Sequence, residues 1–497
     1  MKFLLPGSLR FLLLSLALAP LLWGCDGSGP AAPGPTGPPP QAEFLTPGAG
    51  SPMDSPLGLT LRGTGLRDAE LSVPSPLVLH VDQRSDTLLH FRMSFRGGAP
   101  GAHHVRVQTR GGTDSIAFVI EPPGPGDSLV ETRALWISRW EHHDAGPEAL
   151  RGMIRRAAET GFNVVHFQTR GNGDAFHHSA LEPWSALLTG ALGGEPAWDP
   201  LGIVTDEANR LGIELHAWLN AFTGWSAGGP PPESVPRHAF LDHPDWVMVT
   251  EDGTPMPYQF GVVRWFSPGH PGVRARLAAV AAEVVRNYPV AGVHLDFIRY
   301  PGPAYSFDAP SLAAWDSMRA TEPALAFADA RRRFVTMAVA EVRDSISAAA
   351  PDRALSAAVW GIYRNARGWA NVSRGYEDRL QDPRRWDALG IVDALAPMIY
   401  WPMAGEYGSR LDFGWLADEH VAAYAAATWV GIDAHGLSGP ELARHVERAR
   451  LAGAEGVAVF SLSALEAEPS RRGWLQEAAF RWPARPLPLR TGEEDGQ

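Results

Sequence analysis

The sequence predicts an α/β protein, a (β/α)8 barrel preceded by a small all-β sandwich. Three observations predict it. From Glu131 onward, short apolar runs with strand character alternate with helical patterns about eight times, over roughly the length such a barrel needs. The longest loops follow strand C-termini. Between about residues 42 and 123 the texture is different: short alternating runs broken by Gly and Pro.

The elements follow in chain order. Lys2 and Arg10 flank the start, and Phe11 to Gly24 is an uncharged, Leu-rich run that ends Leu22-Trp-Gly-Cys. The run is too short for a comfortable membrane span and reads as a signal-peptide core. Its end resembles the bacterial lipoprotein signal, in which a leucine and a small residue precede the cysteine to be acylated. Residues 1–25 are therefore expected to be a signal peptide ending at the lipidated Cys25. The expected location is the bacterial cell envelope, periplasmic or extracytoplasmic, with a lipid anchor as the link to the membrane. The alternative is an ordinary signal peptide with an incidental thiol. Residues 26–41 are Pro, Gly, Ala and Ser with little else, a tether. Residues 42–123 carry runs such as Leu57-Gly-Leu-Thr-Leu and Ser115-Ile-Ala-Phe-Val-Ile, the pattern of an Ig-like sandwich. Residues 124–130 link it to the barrel at 131–483, and 484–497 form a C-terminal tail.

Within the barrel the strand candidates are Arg133–Arg139, Asn163–Thr169, Ile213–Leu219, Gly292–Ile298, Ala354–Trp360, Asp393–Tyr400, Ala427–Ile432 and Gly456–Leu462. Helical patterns separate them, at Glu148–Thr160, Leu201–Leu211, Val273–Tyr288, Ala324–Ala349 and Gly439–Leu451 among others. Gly161, Gly212, Gly292, Gly390 and Gly456 recur at or just before strands and read as helix C-caps. A doubly wound open sheet is the alternative, disfavoured because no Gly-rich phosphate fingerprint follows any strand.

Composition excludes several functions. The chain has 497 residues, 45% hydrophobic and 20% charged, enough for two or three units. A net charge of -12 leaves no basic footprint for nucleic acid. Lys2 is the only lysine, which removes Schiff-base and phosphate-loop lysine chemistry. One cysteine allows neither an internal disulfide nor a Cys-based zinc site. His142-His143 and His177-His178 lack the His-Glu-x-x-His spacing, so neither a metal nor another cofactor is expected. The sequence sets no oligomeric state.

Residues two apart on a strand share a face. His166, Gln168 and Arg170 share one; His216, Trp218 and Asn220 another; His294 and Asp296 a third. Apolar residues occupy the opposite faces, which must lie under helices. The polar register therefore points into the lumen, toward its mouth. One such residue is ordinarily a packed, hydrogen-bonded one; three adjacent strands alike point to a binding site. Asp296 is the leading catalytic carboxylate, able to act as nucleophile, base or charge stabiliser at an oxocarbenium-like transition state. Arg299 would hold it ionised or contact substrate; a purely structural Asp–Arg pair is the bland reading. Glycoside hydrolysis needs a second carboxylate. Candidates are Glu141, Asp174, Glu182, Asp378 and Asp433, with Asp174 and Glu141 ranked first because their loops lie among the polar strands. Asp393 opens its strand and reads as structural. Of 18 Trp, many fall beside the proposed mouth. Trp136, Trp218, Tyr400 and Trp401 are counted with Gln168, Arg170, His216, Asn220, His294 and Arg299 as substrate-binding candidates, because sugar rings stack on aromatic faces while their hydroxyls take planar polar partners.

At these residues the chain resembles the bacterial glycosyl-hydrolase-like family 10. The carriers are Thr132-Arg-Ala-Leu-Trp, Gly161-Phe-Asn-Val-Val-His-Phe-Gln-Thr-Arg-Gly-Asn-Gly-Asp-Ala with Leu181-Glu-Pro-Trp-Ser, Gly212-Ile-Glu-Leu-His-Ala-Trp-Leu-Asn, Gly292-Val-His-Leu-Asp-Phe-Ile-Arg-Tyr-Pro, and Ala396-Pro-Met-Ile-Tyr-Trp. The resemblance covers about Glu131 to Pro483 and does not reach the sandwich. It implies a TIM barrel on an envelope lipoprotein that acts on bacterial glycans, including peptidoglycan strands lacking stem peptides. The family's Asp and Arg in the fourth-strand motif map onto Asp296 and Arg299. Some relatives carry two consecutive acids where this chain has Asp296-Phe297. The expected function is hydrolysis of an envelope polysaccharide by carboxylate acid/base chemistry. The competing readings are a non-catalytic glycan-binding protein on the same scaffold and a metal-dependent hydrolase or deacetylase.

Overall fold

A computed structural model describes residues 37–259, 261–403 and 411–489. Cys25, the signal segment and most of the tether lie outside them, as do residues 490–497 of the expected tail. Two four-stranded sheets come first. Gln41–Thr46, Leu57–Thr64, Leu88–Ser94 and Val78–Arg84 form one, in that spatial order. Ala49–Gly50, Gly112–Ile120, Gly101–Thr109 and Glu70–Ser72 form the other. Strand alternation builds their shared core: Leu59 and Leu61, Phe91 and Met93, Val105 and Val107, Phe118 and Ile120 are buried, each pair separated by a more exposed residue.

Eight parallel strands then close a barrel: β1 (Thr132–Ile137), β2 (Val164–Arg170), β3 (Glu214–Asn220), β4 (Gly292–Asp296), β5 (Ala354–Trp360), β6 (Ala394–Met398), β7 (Ala427–Asp433) and β8 (Gly456–Phe460). The outer ring includes α1 (Pro147–Thr160), α2 (Pro200–Leu211), α3 (Pro271–Asn287), α4 (Phe327–Ala349) and α5 (Gly439–Ala452). The outward faces of β1 to β4 (Leu135, Phe167, Leu215, Leu295) pack with these helices into one large core. A separate cluster fills the lumen, with Ala134, Trp136, Trp218, Ala394, Ala396, Trp429 and Ala458. The glycines divide into two kinds. Gly161 and Gly212 are left-handed caps, at φ 99° and 69°, ending α1 and α2 as expected. Gly292 and Gly456 are not caps. They open β4 and β8, where a Cβ would come within 2.6 Å of the Ala354 carbonyl and 2.4 Å of the Thr132 carbonyl, so they permit close strand approach.

The strand N-terminal end is built for stability. Part of the expected tail belongs to it: Ala484–Arg485 pair with Leu129–Val130, and Leu487 and Leu489 pack against the lumen cluster. The Glu131 carboxylate accepts from Arg133 at 2.7 Å, Arg450 at 2.6 and 2.7 Å, and Arg96 of the sandwich at 3.1 Å. Glu447 of α5 accepts from Ser94 Oγ at 2.5 Å and the Gly97 N–H at 2.7 Å. Burial pushes the Glu131 carboxyl up, but Arg450, Arg133 and Arg96 together hold it far below the usual carboxylate range.

Candidate active site

A cavity of about 490 Å³ opens over the C-terminal ends of the strands, the end at which barrels of this class carry their sites. It is mostly aromatic. Trp136 of β1, Trp218 of β3, Trp360 of β5 and Phe460 of β8 line it, with Tyr400 and Trp401 after β6. Trp140, in the turn after β1, stands at its edge and is 61% exposed. Among the described residues three charged side chains line it: Asp296, Arg139 and Arg299.

Asp296 is the last residue of β4, opposite Asn220 of β3, and 9% exposed. Its Oδ1 accepts the Phe297 N–H at 2.6 Å. The chain leaves β4 through Phe297 at φ 50°, a left-handed conformation that costs a bulky residue on the order of 1–3 kcal/mol and is a mark of functional turns. The turn brings Arg299 back over the cavity, its guanidinium 4.8 Å from the Phe297 ring centroid, 5.0 Å from Trp360 and 5.5 Å from Trp265. Among the described residues no ion pair within 4.0 Å joins Asp296 to any cation. Burial accordingly dominates and pushes the Asp296 carboxyl above its ordinary range, while Arg299, the Phe297 N–H and Arg139 pull the other way without cancelling it. Burial draws Arg299 down to about 10, against the field of Asp296, so it stays cationic at neutral pH. Burial, then the carboxylates of Asp296 and Asp433, push the Tyr400 phenol well up, leaving it a proton donor.

Below the cavity lies a polar storey. His166 stacks on His294 with centroids 3.9 Å apart, and His216 stands edge-on to His166 at 5.7 Å. Trp136 Nε1 donates to His294 Nε2 at 3.1 Å. An indole N–H only donates, so His294 carries its proton on Nδ1, 2.9 Å from Ser356 Oγ. Burial lowers the His166 and His294 imidazoles, and both stay neutral.

The sequence-derived candidates therefore divide. Asp296, Arg299, Trp136, Trp218, Gln168, Tyr400 and Trp401 meet around one cavity. His216 and His294 face the lumen but are fully buried beneath it, where His294 fixes the Trp136 edge. Asn220 is buried and accepts from Trp218 Nε1 and Gln168 Nε2, both at 3.0 Å. Arg170 does not reach the cavity. The β2–β3 register shifts between Gln168 and Arg170, which breaks the alternation. Arg170 then pairs with buried Glu182 at 2.7 Å and donates to the Asn220 and Ala221 carbonyls, fastening the second loop to β3.

Glu141 also lies outside the lining. Its carboxylate accepts from Ser138 N–H, Ser461 Oγ and Ser463 N–H at 2.5, 2.7 and 2.5 Å, capping the turn after β1 and tying it to the segment after β8. Asp174 accepts the Asn172 N–H at 2.7 Å, and its field reaches Arg139 together with that of Asp296. Asp378 is bound to Arg374, and Asp433 to His435 at 2.7 Å. Arg139 and Phe460 escaped the sequence reading. Phe460 was legible from the alternation Gly456, Ala458, Phe460; Arg139 only from its place just past β1. Among the described residues no cluster of three His, Cys, Asp or Glu is placed to hold a metal ion.

Comparison with known proteins adds a family. The profile described as "Glycosyl hydrolase-like 10" matches residues 131–438. The curated protein "Glycosyl hydrolase YngK" of Bacillus subtilis is 30% identical over 303 residues, 57% of this chain and 57% of its own. "Glycosyl hydrolase DigH" of Escherichia coli K12 is 30% identical over 291 residues, 54% of this chain and 62% of its own. The matched part thus spans about three fifths of each relative.

Proposed function

The chain belongs to the glycosyl hydrolase-like 10 family, and from that premise we propose that it hydrolyses glycosidic bonds in a cell-envelope polysaccharide, with peptidoglycan glycan strands as the substrate to test first. The carrying observation is Asp296: a carboxyl at the end of β4, the one acid among the described residues that lines an aromatic cavity at the barrel mouth, with its proton affinity raised by burial. A carboxyl more basic than usual is better suited to exchange a proton with a leaving glycosidic oxygen or an attacking water. Tryptophan faces hold the sugar rings, and Arg299 offsets charge beside the acid. Asp174, across Arg139, supplies the second carboxylate; both Glu141 oxygens are already taken by the loops they cap. Export and acylation at Cys25 would set the enzyme against this substrate, a reading that rests on the sequence of residues 2–25 and is tested by metabolic lipid labelling of the wild type and Cys25→Ala.

One observation favours a second reading, a glycan-binding protein without turnover: among the described residues no second carboxylate lines the cavity itself. Incubation with glycan strands freed of stem peptides separates the two. New reducing ends formed by the wild type and lost in Asp296→Asn support hydrolysis; binding without product supports the second reading.

A further inference from the structure

The cavity keeps two arginines that the fold does not use. Nine arginines are buried among the described residues. Arg133, Arg170, Arg274, Arg343, Arg448, Arg450 and Arg471 each pair with a carboxylate within 4.0 Å. Arg331 donates to the Pro303 and Tyr305 carbonyls. Arg299 does neither, and its Nε is buried without a hydrogen-bond partner. Its neighbours are aromatic faces. Arg139, half-buried on the same cavity, also has no carboxylate within 4.0 Å among the described residues; its guanidinium lies 4.8 Å over the Trp140 ring. A desolvated guanidinium without acceptors is costly, so an unspent pair in one cavity marks a place where an acceptor arrives with the ligand.

Holding Asp296 ionised does not account for the pair. Neither guanidinium reaches ion-pair distance, and the carboxyl stays more basic than normal despite both. Nor does overall composition, since the chain carries a net charge of -12 and the excess of cations is local. Among the described residues the rest of the lining is mostly aromatic or apolar, with Ser138, Gln168 and Tyr400 as neutral polar groups, so the two guanidiniums are the only cations that an anion would meet there.

We propose that the cavity selects glycans whose sugars carry a carboxylate next to the cleaved bond, with Arg139 as the residue that reads it and Arg299 as its partner. This rests on the glycan-cleaving reading above and names the substrate class for it. The planar guanidinium fork fits a carboxylate, and Trp140 supplies the adjoining face on which the same sugar would stack. The carboxylate has two sources: a lactyl ether on an amino sugar, or a ring uronate.

The test is a pair of affinity comparisons by calorimetry on the whole chain. Tetrasaccharides from peptidoglycan freed of stem peptides are compared with the same strands converted to amides. Oligogalacturonate is compared with its methyl ester. In one of the two pairs the acid should bind ~10-fold or more tightly than its neutral derivative, with an advantage that shrinks as salt rises. Which pair shows it identifies the source. Arg139→Gln should bring that ratio close to one, and Arg139→Lys should restore part of it. Equal affinities in both pairs, no measurable binding of either acid, or a ratio unmoved in Arg139→Gln would overturn the proposal. Reducing-end assays on the same strands keep the two readings apart. Neutral strands cut as fast as acidic ones would remove carboxylate selection and leave the hydrolase. Carboxylate-dependent binding without cleavage would do the reverse.

Discussion

Replacing Asp296 by asparagine preserves shape and an acceptor for the Phe297 N–H, and removes only the charge. Its effect on stability follows from linkage. The folded carboxyl is more basic than its unfolded counterpart, because burial outweighs Arg299, the Phe297 N–H and Arg139. Below the unfolded value of about 3.9 both states are protonated, and the wild type and the amide should be equally stable in this respect. As pH rises past that value the unfolded chain releases its proton first, while the folded chain must hold it. The wild type then loses stability relative to Asp296→Asn until the folded value is passed, at no more than ~1.4 kcal/mol per pH unit. The amide should therefore be the more stable protein at neutral pH. The same change should lower cleavage by about 10²–10⁴-fold, the usual worth of a positioned acid or base. Urea unfolding of both proteins at intervals from pH 4 to 8, with reducing-end release at pH 7, measures both effects. A variant less stable than the wild type at pH 7, or a gap that closes as pH rises, would refute the reasoning. It would mean that the guanidiniums, not burial, set the carboxyl.

Three further outcomes are expected. Glu131→Gln strips the counter-charge from Arg96, Arg133 and Arg450 and should cost about 3–5 kcal/mol in urea unfolding; a loss under about 1 kcal/mol would deny the network its role. Glu141→Gln weakens a cap and should cost about 1–2 kcal/mol while sparing most turnover, whereas Asp174→Asn should cut turnover by about 10²-fold or more; the reverse pattern in a reducing-end assay would exchange their roles. Burial holds His142 neutral down to about 3 and His420 to about 4 in the folded state. The unfolded chain takes up these protons below about 6.5, so stability should fall as pH drops from 6.5 toward 4, by up to ~1.4 kcal/mol per pH unit for each. A flat profile by circular dichroism over that range would contradict it.

The barrel was readable because its strands sit in a single chemical pattern. Ala354–Trp360 is a strand over the same residues in sequence and in structure, and the other seven differ only at their ends. The inward register of Gln168, Trp218 and Asp296 was readable for the same reason: the opposite face had to be apolar to lie under helices. Alternation fails where a bulge intervenes, and that is why Arg170, placed by spacing beside Gln168, leaves the lumen for Glu182. Alternation also says which way a side chain points and not how deep it sits. His216 and His294 face inward, yet they occupy the storey beneath the tryptophans. Glu141 looked catalytic by position because loop acids after β1 stand near the mouth. Only the closure of β8 against β1 brings Ser461 and Ser463 to it, a pairing across more than 300 residues that no local pattern encodes.

The two storeys explain why chemistry gathers on one side of the mouth. Inward positions on β5 to β8 are mostly small: Ser356, Ala358, Ala394, Ala396, Gly431 and Ala458. Those on β1 to β4 are large or polar: Trp136, His166, Gln168, His216, Trp218, His294 and Asp296. A closed barrel has a fixed width, so small residues on one wall make room for large ones leaning from the other. The histidines, joined by Trp429 from the far wall, complete a buried floor. Burial over that floor and between the aromatic walls raises the proton affinity of Asp296. The same burial makes Arg299 costly unless a ligand brings it an acceptor. One packing asymmetry, readable as small residues at alternate positions of the later strands against tryptophan and histidine at alternate positions of the earlier ones, thus prepares both a carboxyl more basic than usual and a cation awaiting its partner.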